Sequence, residues 1–258
     1  MSAAVEALGR VAAFGPHAAV VFGSGLAALP PAAVVRAELL VAELGWPCTA
    51  VPGHGNVLQL VELTAGAAGG LRLALACGRA HGYEGWQPEQ LERPVRTLAA
   101  AGVSRFALTN SCGAVRPAVT PGEVVACTSV VDLQAPPVGD APLSIDVCGA
   151  AEAAAVAAAM APAPARTGVY VAVAGPQFET PAEVAWLARH GDVVGMSGAP
   201  EVRAAHAAGA ACCMLALVVN RAAAVSSHED VLAFGGRLAG ILAAGLGAVV
   251  TARWPGLI

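Results

Sequence analysis

At 258 residues, 57% of them hydrophobic and only 12% charged, the chain is too apolar for disorder and is sized for one domain with a large core. Its 14 basic residues are all arginine, which excludes a Schiff-base lysine and a phosphate-loop lysine. A net charge of −4 provides no broad cationic face for a nucleic-acid backbone, so small molecules are the expected partners.

Short β-rich runs alternate with alanine-rich helical stretches along the whole chain, the pattern of an α/β domain spanning residues 1–258. In chain order, strands are predicted over 18–22, 71–76, 105–108, 124–131, 168–173 and 212–219, making a mixed central sheet. Helices are predicted over 88–101, 150–161, 181–190, 200–208 and 228–253, with Pro94 straining the first. The most apolar stretches, 238–250 and 207–219, read as too short or too interrupted for a span of about 20 residues. The start of the chain carries no basic region followed by an apolar block, and a cytoplasmic protein away from membranes is expected. Seven scattered cysteines form no C-x-x-C pair and read as small core residues, Cys112 included.

In open α/β sheets ligands sit beyond the carboxyl ends of the strands, so the residues following each strand are the informative ones. Gly23-Ser24-Gly25 follows the first strand and suits either an anion or a plain glycine turn. The second strand leads into Gly78-Arg79-Ala80-His81-Gly82-Tyr83-Glu84-Gly85, a dense polar cluster in a charge-poor chain. Arg79 offers a fixed fork for phosphate, His81 a second donor and Tyr83 a hydroxyl on a rigid ring. Thr109-Asn110-Ser111-Cys112-Gly113 follows the third strand as an oxyanion nest or an Asn/Gly turn.

Further along, Gly175-Pro176-Gln177-Phe178-Glu179-Thr180 brings an aromatic face that can stack on a planar base. The run Val194-Gly195-Met196-Ser197-Gly198-Ala199-Pro200-Glu201 adds a thioether and a serine. Glu179 and Glu201 are either site carboxylates or helix-start residues. Asn220 closes the last strand and His228 opens the last helix.

The segments GSGL, PGHG, GRAHGYEG, TNSCG, AGPQFETPAE, VVGMSGAPEV and VVNRAA, in that order across about 20–228, resemble the trimeric purine nucleoside phosphorylase family. The resemblance implies a nucleoside phosphorylase fold, a twisted mixed central β-sheet flanked by helices. It implies phosphate-driven cleavage of purine ribo- or deoxyribonucleosides in purine salvage. Inorganic phosphate would be co-substrate, with no metal or organic cofactor, in a homotrimer with no nucleic-acid or membrane partner. Phosphate would be held by Ser24, Arg79, His81 and Ser197, helped by the backbone at Ser111. His54 would be a mobile gate. Tyr83, Met196 and His228 would contact the ribose, and Phe178, Glu179 and Asn220 the base, with His54, His81, Glu179 and Asn220 forming the catalytic set.

A carboxylate at Glu179 accepts from the N1–H of a 6-oxopurine and repels the lone pair of adenine, so inosine and guanosine are the expected substrates. The chain departs from the family pattern at Ser111, where alanine is usual, and at Gly198-Ala199. It departs also at Thr128-Ser129-Val130-Val131-Asp132-Leu133, where the family has DHxNL. Residues 133–160 contain no phenylalanine to serve as the lid a neighbouring subunit lends. These departures keep three alternatives open: a methylthioadenosine phosphorylase, a paralogue for a modified nucleoside, or a weakly active nucleoside-binding protein.

Overall fold

A computed structural model describes residues 3–52, 54–137, 142–224 and 228–257, the side chains of 228–233 excepted. The described strands are β1 (Ala18–Val21), β2 (Ala33–Leu40), β3 (Val57–Leu63), β4 (Arg72–Cys77), β5 (Arg105–Ala114), β6 (Val124–Asp132), β7 (Leu143–Asp146), β8 (Ala165–Ala172), β9 (Val193–Gly195) and β10 (Ala211–Arg221). The described helices are α1 (Ala3–Phe14), α2 (Pro88–Ala100), α3 (Ala150–Ala158), α4 (Pro181–Leu187), α5 (Ala199–Ala207) and α6 (His228–Arg253).

The centre of the sheet is parallel: β4, β1, β5 and β10 lie side by side in that order. Such strands are covered on both faces and therefore read as nearly unbroken apolar runs, as in β1 and in Leu73 to Cys77 of β4. Beyond β4, β3 and then β2 are added antiparallel. On the other side β10 pairs with β6, β6 with β8, β8 with β9, and β9 returns to β5. Those four pairings and that of β5 with β10 close a ring, and β7 hangs on β6 as an antiparallel appendage.

Alternation along β5 feeds two cores at once. Phe106, Leu108 and Cys112 join the layer under α1, α2 and α5, whereas Ala107 joins the layer under α3 and α6. The mixed sheet with helices on both faces is the architecture expected from the sequence.

Several elements escaped the sequence reading, each for a physical reason. β2 is mostly exposed and carries Arg36 and Glu38; β3 alternates apolar residues with Gln59 and Glu62. β7 and β9 are four and three residues long. α1 hid among alanines and Gly9, burying only Ala7 and Val11. Residues 109–113, expected as a turn after the third strand, belong to β5 itself, which runs on to Ala114. α2 continues past Pro94 to Ala100.

The reading of the last apolar stretch as short is also corrected. Phe234–Arg253 of α6 is long and apolar enough, by length and composition, to cross a membrane. Its glycines interrupt the hydropathy pattern without ending the helix. Half of that stretch is buried within the fold, where Leu238, Leu242, Leu246 and Val249 pack with Val156 and Met160 against β10.

The described cysteines are all free. Burial pushes the Cys77 thiol up to about 11 and that of Cys212 to about 12, and raises Cys112, Cys127 and Cys213 as well. These thiols are packing groups at neutral pH, Cys112 among them. Because Leu242 is fully buried between α6 and the sheet, Leu242→Ala is expected to lower unfolding stability by about 2–5 kcal/mol, read from urea denaturation.

Candidate active site

A cleft of about 640 Å3, counting its open mouth, lies beyond the carboxyl ends of the central strands. Its wall takes Ser24 from the turn after β1, His81 and Tyr83 from the segment after β4, and Ser111 to Gly113 from the end of β5. Phe178 and Glu179 come from the loop after β8, Met196 and Ser197 from the turn after β9, and Asn220 from the end of β10. Nine residues singled out in the sequence thus meet in one place. Cys112, Gly113, Val194, Gly195 and Val219 also line it. Nothing marks these five in the sequence beyond their adjacency to the polar motifs.

At one end of the cleft, hydroxyl and imidazole groups are held by short bonds. His54 Nε2 lies 2.8 Å from Ser24 Oγ, and the backbone N–H of Arg79 donates to His54 Nδ1 at 3.0 Å. With Nδ1 accepting, the neutral ring carries its hydrogen on Nε2 and donates it to Ser24. Gly78 permits this contact: its φ is +114°, and a Cβ there would stand 2.7 Å from the Cβ of His54. Ser111 Oγ donates to the Ser24 carbonyl at 3.1 Å, tying the end of β5 to the same turn.

His81 is buried and oriented by Glu84, a residue the sequence reading placed in the cluster without assigning it a role. The His81 backbone N–H donates to Glu84 Oε1 at 2.8 Å, and His81 Nδ1 lies 3.2 Å from that oxygen. Thr49 Oγ1 and the Ala50 N–H hold the carboxylate in turn. This geometry puts the Nδ1 hydrogen toward Glu84. Tyr83 stacks on the His81 ring, centroids 4.8 Å apart and 14° from parallel. Burial, then the Glu84 charge, pushes the Tyr83 hydroxyl up to about 12, so it stays a neutral hydrogen-bonding group.

Arg79, expected to hold phosphate, is not among the residues lining the cleft. It is 6% exposed and lies beneath the cleft, where Nη2 donates to the carbonyls of Val21 at 3.0 Å and Thr109 at 2.6 Å. Nη1 sits 3.3 Å from Glu201 Oε1, so Glu201 is both a first-turn residue of α5 and the counter-ion of this arginine. Among the described residues, Nε and Nη1 have no hydrogen-bond acceptor.

The other end of the cleft is loop-borne and more apolar. Phe178 is 43% exposed, and partial burial raises the Glu179 carboxyl above the usual range. Glu179 is not a helix-start residue: Thr180 caps α4 and Glu183 completes the capping box. Asn220 is placed by a β-bulge, since the β5–β10 register passes from Val218–Cys112 to Asn220–Gly113 and leaves Val219 unpaired. Its Oδ1 lies 3.2 Å from where a Cβ on Gly113 would be. His228 opens α6, but its side chain lies outside the described residues. Among the described residues, no group of three or more His, Cys, Asp or Glu is arranged to hold a metal ion.

The arrangement sets hydroxyl and imidazole groups, an aromatic ring, a carboxylate and a carboxamide around one cleft. Residues 18–251 match the Phosphorylase superfamily. The purine nucleoside phosphorylase of Mycobacterium leprae is 36% identical over 227 residues, 84% of this chain and 82% of that protein. Purine nucleoside phosphorylase 1 of Bacillus subtilis is 31% identical over 238 residues, 84% of this chain and 85% of that one. A crystal structure of a Schistosoma purine nucleoside phosphorylase with hypoxanthine shares the fold, with a TM-score of 0.75 over 99% of both chains at 23% identity. The chain belongs to the phosphorylase superfamily, as one of its purine nucleoside phosphorylases.

Gly175 holds the two halves of the cleft together. Its φ is +70°, and a Cβ there would fall 2.4 Å from Met196 Sδ and 3.0 Å from the Tyr83 ring. Gly175→Ala is expected to raise the KM for nucleoside at least tenfold by pushing the loop off Met196 and Tyr83, while unfolding stability falls by only about 1–3 kcal/mol. Steady-state kinetics beside thermal denaturation separates the two effects.

Proposed function

We propose that the chain cleaves purine nucleosides with inorganic phosphate, preferring inosine and guanosine, to free base and ribose or deoxyribose 1-phosphate. The observation that carries this reading is the convergence of Ser24, His81, Ser197, Phe178, Glu179 and Asn220 on the wall of one cleft. Phosphorolysis passes through an oxocarbenium-like sugar. The phosphate dianion stabilises that cation from one side, and the protein stabilises the negative charge gathering on the departing purine from the other. No protein nucleophile and no metal or organic cofactor enters the reaction.

Ser24, His81 and Ser197 hold phosphate, assisted by the backbone at Ser111. Arg79 belongs to the same site: two of its buried nitrogens have no acceptor, and a phosphate oxygen would satisfy them. His54, bonded to Ser24, gates access to the anion. Tyr83 and Met196 bind the ribose hydroxyls, and His228 is assigned the 5′-hydroxyl on family resemblance alone. Asn220 supports the purine as N7 gains its proton, and Glu179 accepts from N1–H. The working unit is a homotrimer acting in cytoplasmic purine salvage, to which exposed Phe178 and Trp186 offer apolar surface near the cleft.

Incubated with inosine and phosphate, the chain should release hypoxanthine at a rate that vanishes without phosphate. Its kcat/KM for adenosine should be lower by about tenfold or more, since a buried carboxylate facing a lone pair costs about 1–3 kcal/mol. Equal turnover of the two nucleosides would remove Glu179 from its role.

The pH dependence follows from the raised carboxyl of Glu179. The ionised form accepts from N1–H more strongly than the acid, and a raised pKa means protonation sets in at a higher pH than for an ordinary glutamate. As pH falls, the KM for inosine should therefore climb before other acid-linked losses, and Glu179→Gln should abolish that limb. A pH series of KM for both forms measures it.

A further inference from the structure

A chain of buried charges runs from the helical layer to the root of the loop that bears Phe178 and Glu179. Asp132, the last residue of β6, is fully buried, and its Oδ2 pairs with Arg203 Nη1 of α5. Arg203 Nε donates to Glu92 Oε1 of α2 at 3.1 Å, and the other Glu92 oxygen accepts from Arg96. Buried ion pairs are poor sources of stability, because desolvation offsets most of the attraction; what they supply is a fixed geometry.

Here the fixed element is a turn. Asp132 Oδ1 accepts from the backbone N–H of Gln134 at 2.9 Å and of Ala135 at 3.3 Å. The pairing of β6 with β8 is continued past the strands by the Leu133 N–H, which donates to the Ala172 carbonyl at 2.9 Å. One residue further on the backbone has turned away, and the Gln134 side chain takes over the ladder: its Nε2 donates to the Val173 carbonyl at 2.8 Å. Val173 is the first residue of the segment leading through Gly175 to Phe178 and Glu179. On its other side the Val173 N–H donates to the Gly195 carbonyl, beside Met196.

We infer that Gln134 is a positioning residue for purine recognition, held in place by the Asp132–Arg203–Glu92 chain and acting through the root of the 174–180 loop. The inference rests on the phosphorolytic reading for what the loop grips, but the mechanical claim stands on the hydrogen bonds alone. Gln134 is not among the residues lining the cleft. Its loss should therefore be felt by the base and not by phosphate. The residue is half-buried, so replacing it leaves the cores intact.

The test compares wild type with Gln134→Met, which keeps length and removes the donor, and with Gln134→Lys, which restores a donor of similar reach. Amide hydrogen exchange over 174–180 and the KM values for inosine and for phosphate are measured on all three. In Gln134→Met, exchange over the loop should quicken about tenfold and the KM for inosine rise about tenfold, with KM for phosphate and kcat within twofold of wild type. Gln134→Lys should recover most of both changes. Unchanged loop exchange, or inosine and phosphate KM values that move together, would overturn the inference. A wild-type chain that releases no hypoxanthine from inosine would instead sink the phosphorolytic reading, and the exchange measurement would still decide whether Gln134 holds the loop.

Discussion

The structure depends on the pairing of β5 with β10 along the whole of both strands. These two parallel strands sit side by side from Arg105–Ala211 to Ala114–Arg221. Parallel alignment sends their polar carboxyl ends to the same edge of the sheet, which brings Ser111 and Asn220 to one cleft although 108 intervening residues separate them in sequence. The register slips once, at Val219, and the slip has a chemical consequence: it turns Asn220 toward Gly113 and the cleft while the apolar residues before it stay in the core. β5 is also the strand that β1 and β9 join, so the turns carrying Ser24 and Ser197 are fixed to the same member.

Around that frame the two ends of the cleft are built differently. The groups assigned to the anion are tied by short bonds to backbone and carboxylate: His54 to Ser24, Arg79 to the end of β1 and the middle of β5, His81 to Glu84. Each group is oriented before any ligand arrives, which is how electrostatic stabilisation is made cheap at the moment of reaction. The base end sits on a loop with glycine at its bend and an exposed aromatic ring. A phosphate is always the same anion, whereas bases differ, and a substrate-discriminating wall borne by a loop can vary without disturbing the frame.

Much of this was legible in the sequence because ligand groups in α/β folds follow strand ends, and a chain with so few charges makes each polar cluster conspicuous. Gly78 to Gly85 is the clearest case: four polar side chains within six positions, and three of them, Arg79, His81 and Tyr83, end at or under the cleft. What could not be read was partnership. Glu84 looked like one more member of the cluster, but only the fold brings Thr49 and Ala50 to its carboxylate. Arg79 was legible as an anion-binding candidate, but the Val21 and Thr109 carbonyls that hold it come from other strands and could not be read. β2 and β3 were missed for a related reason. Strands at a solvated edge lose the apolar continuity that identifies central ones.

The arginine-only basic complement gives the buried charges a common logic. Arg79 faces Glu201 and Arg203 faces both Glu92 and Asp132, so α5 carries one member of each buried ion-pair system on the helix that begins just after Ser197. A guanidinium spreads its charge over a planar fork and can serve two or three acceptors at once, which lysine cannot do with the same rigidity. Arg79 serves two strands and a carboxylate; Arg203 serves a helix and a turn. Helix α5 is thereby pinned to the sheet edge on one side and to the β6 turn on the other. The serine at its head, the arginine beneath the anion end and the loop at the base end are set relative to one another by charges that never meet a ligand's sugar or base. Coupling of this kind makes the cleft respond as a unit: a displacement at Asp132 is transmitted to α5 as well as to the loop, so the anion and base ends share a mechanical support even where they share no contact.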